Sequence, residues 1–291
     1  MAVGRIYTVP RKYLLNKICK ECGEPFKTKH LHQETCSRKC GMTLMRRREL
    51  EQNERDGISQ VWSCGGGVDS VAIAVLIYQG ILPRPDYAIM TDNSYDASYT
   101  WDYVDEILIP RLKEIDVQLH IIKSFDYVDM DIVLRNGQIA IPAYSWYNGK
   151  AVKFRTMCSE KWKVAPMRRW LREQGVRQCT NWVGVSADES RRAKPSRLQW
   201  LQFRYPLVEM NLSRRDCKRL IKKAGWPLPL RSACVMCPQK TDNQWLDLRD
   251  DYQDDFNRAI LIEREMHKTH PNIFLHRSMK PLSNAEFKGG G

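Results

Sequence analysis

From about residue 58 onward the chain alternates short apolar runs with stretches of helical spacing. Val61-Trp62-Ser63 is a strand-like approach that ends at Gly65-Gly66-Gly67, and Val71 to Tyr78 continues as a helix that Gly80 stops. Tyr87-Ala88-Ile89-Met90 is a second apolar run, closed by the polar Thr91-Asp92-Asn93. Ser98 to Ile115 sets Trp101, Val104, Ile107, Leu108 and Leu112 at helical intervals, and Val117 to Ile122 reads as another strand. Strands and helices alternating through short loops predict an α/β fold with a doubly wound, mostly parallel sheet covered on both faces. Ligands of such sheets sit at the carboxyl ends of the strands, where the glycine bend and Asp92 both fall.

The first 57 residues carry a different pattern. Cys19-x-x-Cys22 and Cys36-x-x-x-Cys40 are two tight pairs joined by a short polar link, the spacing of a four-thiolate zinc site. So short a segment buries little apolar surface, so the metal must supply much of its folding free energy, with Pro25, Phe26 and Leu31 as a minimal core. Met42 to Asp56 reads as a charged connecting helix, closed by Asp56-Gly57. The expected organisation is a zinc module over 1–45, a linker helix over 46–57, an α/β domain over 58–245 and a helical tail over 246–291.

Charge sharpens this division. The formal net charge of the 291 residues is +13, and residues 1–49 hold twelve Lys/Arg against four Glu. So concentrated a basic segment is the electrostatic footprint of a phosphate-rich partner, DNA or RNA. No run approaches the ~20 apolar residues of a membrane span, and no secretory signal is evident, so a cytoplasmic protein without a membrane partner is expected. Ten cysteines in that setting point to metal or redox chemistry before disulfides.

Three consecutive glycines before a helix let backbone N–H groups approach a ligand, and with the helix dipole they make an anion site. Asp69 and Ser70 then supply a carboxylate and a hydroxyl suited to a Mg²⁺-bound phosphate. Gly65-Gly66-Gly67-Val68-Asp69-Ser70 resembles the Ser-Gly-Gly-x-Asp-Ser pyrophosphate loop of the adenine-nucleotide α-hydrolase (PP-loop ATP pyrophosphatase) superfamily, with Gly65 where the first serine would stand. Ser63 is a nearby hydroxyl. The resemblance implies ATP or a related adenine nucleotide as ligand, with Asp92 as a further contact.

A second group of motifs follows in order. Arg155-Thr156-Met157-Cys158-Ser159-Glu160-Lys161-Trp162-Lys163-Val164-Ala165-Pro166-Met167 resembles the Cys-Cys-x-x-x-Lys-x-x-Pro-Leu segment of phosphoadenosine-phosphosulfate reductases. Gly184 to Arg192 resembles their Gly-x-x-x-x-Glu-Ser-x-Arg element, and Ser213-Arg214-Arg215-Asp216 a later one. Cys234-Val235-Met236-Cys237 matches the separated Cys-x-x-Cys of the cluster-bearing members. The resemblance implies that Glu189, Arg191 and Arg192 face the nucleotide. It also points to Cys158, Cys234 and Cys237 as a set for a [4Fe–4S] cluster, for zinc or for no metal, with Cys179 or Cys217 open as a fourth ligand. By composition alone, Lys153, Arg155, Lys161 and Lys163 would lower the Cys158 thiol pKa or hold polyphosphate.

Two departures shape the expected function. Met157 stands where the reductases have the first of two adjacent cysteines, and no cysteine follows Cys237 to act as their catalytic tail thiol. The expected activity is ATP-dependent sulfur transfer to nucleic acid, of the tRNA-thiolation or DNA-phosphorothioation type, with Asp69, Ser70 and Cys158 at the chemistry and the sulfur donor left open. The alternatives are a sulfonucleotide reductase using Cys64 or Cys217, and a zinc-finger nucleic-acid-binding protein whose other domain senses ATP.

Overall fold

The chain divides into two compact units, residues 1–58 and 59–291. The structure, a computed structural model, describes residues 14–30, 32–55, 57–155 and 157–288; Leu31, Asp56, Thr156 and the two ends lie outside them.

In the first unit β1 (Leu15–Ile18) pairs antiparallel with β2 (Pro25–Thr28), Ile18 facing Pro25. Gly23, at φ +76°, turns the chain between them and donates its N–H to Cys19 O at 3.0 Å. Helix α1 (Arg38–Arg55) starts earlier than its charged composition predicts, because the Ser37 hydroxyl accepts the Cys40 N–H at 3.2 Å and starts it there. Among the described residues the buried side chains are Cys19, Thr28 and Leu44, while Pro25 is exposed and Phe26 half-buried. The described part of the small core therefore centres on a thiol and Leu44 of the helix, with Phe26 at its margin and Pro25 outside it; Leu31, the third expected member, lies outside the described residues.

The second unit opens with β3 (Ile58–Ser63), α2 (Val68–Tyr78), β4 (Tyr87–Asp92), α3 (Ser98–Tyr103), α4 (Ile109–Lys113) and β5 (Leu119–Lys123). A hairpin of β6 (Tyr144–Tyr147) and β7 (Lys150–Lys153) precedes α5 (Ala165–Glu173), β8 (Gln178–Val183) and β9 (Leu201–Arg204). The chain closes with α6 (Pro206–Glu209), α7 (Arg214–Lys223), α8 (Asp242–Asp251), α9 (Gln253–Thr269) and β10 (Ile273–Phe274).

The central sheet has the order β5-β4-β3-β8-β9, with β3–β4, β4–β5 and β8–β9 parallel, as the alternating pattern predicts. Adjacent strand residues point to opposite faces. Trp62, Met90 and Trp182 pack with α2 and α7 on one side, and Val61, Ile89 and Cys179 pack with Met167 and Leu171 of α5 on the other. Helix α2 is buried on all sides except at Tyr78, which gives the loop before it a rigid floor.

Two helices widen into π turns, Val104–Leu108 before Pro110 and Glu160–Val164 before Pro166. Each proline lacks the N–H that would continue the ladder, and the helix takes in an extra residue just ahead of it. A third core joins Ala97, Ile141, Trp162 and Met236 to Trp245, Phe256 and Leu275, so the C-terminal helices pack on the middle of the chain.

Candidate functional site

The strand order reverses between β3 and β8: the chain winds outward through β4 and β5, then returns to add β8 and β9 on the other side. Gly184, just after β8, lies against Ser70 in the first turn of α2, which follows β3 through the glycine bend, so the carboxyl ends of the two strands meet at this reversal. A switch point of this kind leaves a crevice that the flanking loops line.

The crevice floor is the glycine bend. Gly66 sits at φ +69°, and a Cβ there would come within 2.8 Å of Thr100 Cγ2, so this position needs glycine twice over. The Gly65 N–H donates to Ser70 Oγ at 3.0 Å, closing the bend over the first turn of α2. Gly67 caps α2 with no side chain, leaving the amides of that turn open to an anion.

A cavity of about 800 Å³ opens here, lined by Gly65, Gly67, Asp69 and Ser70 and by Arg192, Arg214, Lys218 and Arg231. Four cations face the carboxylates of Asp69 and Glu189, an excess suited to a polyanion. Arg214 and Lys218 share one face of α7, and Arg214 Nη1 lies 3.3 Å from Asp69 Oδ1. Burial pushes the Asp69 carboxyl above the usual carboxylate range, against the pull of Arg214 and with a further push from Glu189. A cation bound beside it would relieve that cost.

A second cavity of about 390 Å³ shares Gly65, Ser70, Gly184 and Arg192 with the first. Its walls include Ser63, Met167, Val183 and Phe203, an apolar slot with a few polar points. Ser63 Oγ donates to Asn181 Oδ1 at 2.9 Å.

The remaining expected contacts divide. Glu189 pairs with Arg192 inside the larger cavity. Arg191 is exposed and lines neither cavity. Asp92 Oδ1 accepts the Ser94 N–H at 2.7 Å and shapes its own turn, while Thr91 lines the smaller cavity. Arg214, Lys218, Arg231 and Gly184 were not singled out by sequence reasoning as phosphate-site residues. Arg214 and Gly184 lay inside motifs that had been noticed, and Lys218 was findable as the residue four on from Arg214.

Beyond the smaller cavity lie the later cysteines. Asn93 Nδ2 donates to Cys234 Sγ at 3.2 Å, and Lys163 Nζ donates to the buried Asp96 at 3.1 Å. Cys234 Sγ is 3.5 Å from Asp96 Oδ1. Cys158 lies within electrostatic reach of Cys237 and Lys163, and Lys163 within reach of Asp96 and Cys234, while the three sulfurs do not all lie within 4.8 Å of one another. Lys163 keeps its proton firmly: burial works against it, and Asp96 and Cys234 more than offset that. The Cys158 thiol is raised, not lowered, because burial and Cys237 outweigh the nearby Lys163; the basic residues around it in sequence do not activate it.

Burial also pushes the Cys64 and Cys217 thiols up to about 12. Thiols so placed hold their protons, so burial alone does not activate either of them.

In the first unit, the ligand atoms of Cys19, Cys22, Cys36 and Cys40 all lie within 4.8 Å of one another, and among the described residues no other group does so. Four thiols this close cannot all ionise without a cation. Cys36 is held up to about 12 by Cys40 and Cys22, whereas Cys19 falls to about 6, where backbone N–H groups outweigh its desolvation. The set can hold one tetrahedral ion.

No protein-family model matches the chain, and no curated protein matches it. It is similar to the solved phosphoadenylyl-sulfate (PAPS) reductase from Candida auris in its phosphate complex, at 16% identity and TM-score 0.41, over 65% of this chain and 85% of that one. It is also similar to the U34-tRNA thiolase NcsA from Methanococcus maripaludis with its [4Fe-4S] cluster, at 15% identity and TM-score 0.41, over 87% of this chain and 89% of that one.

Proposed function

We propose that this chain is an ATP pyrophosphatase of the PP-loop kind that activates a nucleic-acid acceptor for sulfur insertion. The observation that carries the reading is the crevice at the strand reversal, where an open helix N-terminus and a glycine bend face four cations and two carboxylates. Gly65, Gly66, Gly67 and Ser70 cradle the phosphates, and Asp69 helps to place Mg²⁺. Arg192, Arg214 and Lys218 take the charge of the departing pyrophosphate. The adenosine half fits the apolar slot between Met167 and Phe203.

The chemistry balances without an oxidant. An oxygen of the acceptor attacks the α-phosphorus, the bond to the bridging oxygen breaks, and pyrophosphate leaves. A hydrosulfide-level donor then displaces AMP, so oxygen is exchanged for sulfur on a tRNA base or a DNA phosphate. Cys158, Cys234 and Cys237 suit an iron–sulfur cluster: the Asn93 amide donates to sulfur, and Lys163 and Lys240 offset thiolate charge. A cluster there would be held by Cys158, Cys234 and Cys237 and would supply chemistry for handling sulfide-level sulfur. The four cysteines of the first unit suit Zn²⁺, and the basic charge around them suits a polymer of phosphates.

The test is product analysis on anaerobically purified protein given ATP and Mg²⁺, with tRNA, DNA or neither. AMP and pyrophosphate, increased by one polymer, are expected. ADP and phosphate, or intact ATP under every condition, would overturn the reading. Metal analysis of the same sample should return both zinc and iron, and iron should be lost on Cys234→Ser.

A further inference from the structure

The hairpin of β6 and β7 is built to project. Asn148 and Gly149, at φ +51° and +71°, form the two-residue turn that matches strand twist, and Tyr147 pairs with Lys150 across it. Strand β10 covers only Tyr144 and Ser145, so the tip extends past the edge of this three-stranded sheet. Trp146 is 58% exposed and Tyr147 67%. Large aromatic rings standing this far out on a rigid turn make no contribution to a core.

Charge says what would cover them. From residue 132 to residue 159 the chain has no Asp or Glu, yet Lys150, Lys153 and Arg155 fall within the hairpin and its exit, all exposed. Side chains alternate across the pair, so Trp146 shares a face with Lys153 and Tyr147 shares the other with Lys150. Each face thus offers one ring and one cation. Flat apolar surfaces alternating with cations match an unpaired nucleotide, whose base stacks while its phosphates pair with lysine and arginine. In a duplex the bases are already stacked, and the rings have nothing to take.

The hairpin is also anchored beside the cysteines. Tyr144 Oη donates to Pro238 O at 3.2 Å, next to Cys237, and the exit strand reaches Cys158 five residues after Lys153. The Phe154 N–H donates to Ala143 O at 2.9 Å, which fixes that exit.

We propose that Trp146 and Tyr147, one on each face of the hairpin, are stacking surfaces for unpaired nucleotides of a single-stranded or looped nucleic acid, with Lys153 beside Trp146, Lys150 beside Tyr147 and Arg155 at the exit on the phosphates. This deepens the reading of a nucleic-acid acceptor and rests on it for its purpose. Its test does not need ATP. Short single-stranded DNA and RNA of one sequence, the matching duplex, and polyglutamate are titrated into the full-length protein, with anisotropy and tryptophan fluorescence as readouts.

A single strand should bind tightest and quench the fluorescence, and the DNA and RNA arms show which sugar is preferred. Trp146→Ala and Tyr147→Ala should each weaken binding about ten-fold or more, while Trp146→Phe should keep most of it. A triple Lys150→Gln, Lys153→Gln, Arg155→Gln variant should lower the salt slope by about 2. Thermal midpoints should not move, since all these side chains are exposed. Unchanged affinity in both alanine variants, equal binding of the duplex, or tighter binding of polyglutamate would overturn the proposal. Pyrophosphate release is read separately, so loss of the stacking surfaces and loss of the ATP site are told apart.

Discussion

Gly184 lies so close to Ser70 that a Cβ built on it would meet Ser70 N at 2.9 Å, and Asp69 C at 3.0 Å. The contact is with backbone, which cannot swing aside as a side-chain tip can. Gly184→Ala should therefore displace the first turn of α2 and the bend that leads to it. An overpacked site of this kind costs about 1–3 kcal/mol, and the thermal midpoint should fall accordingly. Nucleotide affinity, read by calorimetry, should fall by at least about ten-fold, because the displaced amides are those that would face phosphate. Unaltered affinity in a folded Gly184→Ala protein would show that the bend is not where phosphate binds.

Arg214 makes a separate prediction, because it serves two groups at once. Its guanidinium pairs with Asp69 at 3.3 Å while facing the cavity, and its own N–H is held by Asp188 Oδ1 at 3.0 Å. Arg214→Ala leaves the helix cap of Ser213 and Asp216 in place, so α7 should stay folded. The loss should appear as about ten-fold or more weaker binding of ATP, in keeping with removal of one charge-assisted contact. Arg191→Ala, on an exposed side chain outside both cavities, should leave that affinity unchanged.

The parts of this site that were legible in the sequence are those that lie close together along it. The glycine bend, the helix after it and both cysteine pairs of the first unit each declare themselves within a few residues. Arg231 does not, since only the return of the chain past β8 and α7 brings it to the bend, and Lys218 shows only through its four-residue spacing from Arg214. Asp92 is ambiguous for a related reason: a carboxylate at a strand end reads equally well as a ligand contact or a turn cap, and in the fold one of its oxygens accepts the Ser94 N–H. The π turns before Pro110 and Pro166 leave the helical spacing almost intact, so periodicity alone passes over them. Asn148-Gly149 is the opposite case, a strong local turn signal whose flanking strands of four residues each are too short to declare themselves by alternation.

The first unit should depend on metal. Its buried side chains are few, and its four sulfurs crowd one point. A strong chelator should strip one zinc per chain and expose residues 14–55 to protease, as expected of a fold whose stability is largely metal-binding free energy. Cys36→Ser should do the same without chelator. Protease resistance retained in the metal-free protein would mean that the thiols are not the organising element.

Acid stability gives the last prediction, and it concerns the C-terminal packing. Asp242, which is 6% exposed, accepts the Lys288 N–H at 3.0 Å on one oxygen and faces His276 and Arg277 with the other. Burial by itself would raise its pKa, but these donors outweigh burial and hold the carboxyl below its usual value. A carboxylate depressed in the folded state stabilises above the unfolded pKa of about 3.9 and loses that contribution as pH falls through the folded value. Asp242→Asn keeps one acceptor oxygen where two are used, so its NH2 must face either the Lys288 N–H or the His276 and Arg277 donors, and it should cost about 1–3 kcal/mol near neutrality. Below about pH 4 the wild-type protein should lose stability faster than the variant, and the two curves should converge. Denaturant melts across pH 2.5–7 read both effects at once, and parallel curves would show that the pairing with Lys288, His276 and Arg277 contributes nothing to holding residues 276–288 in place.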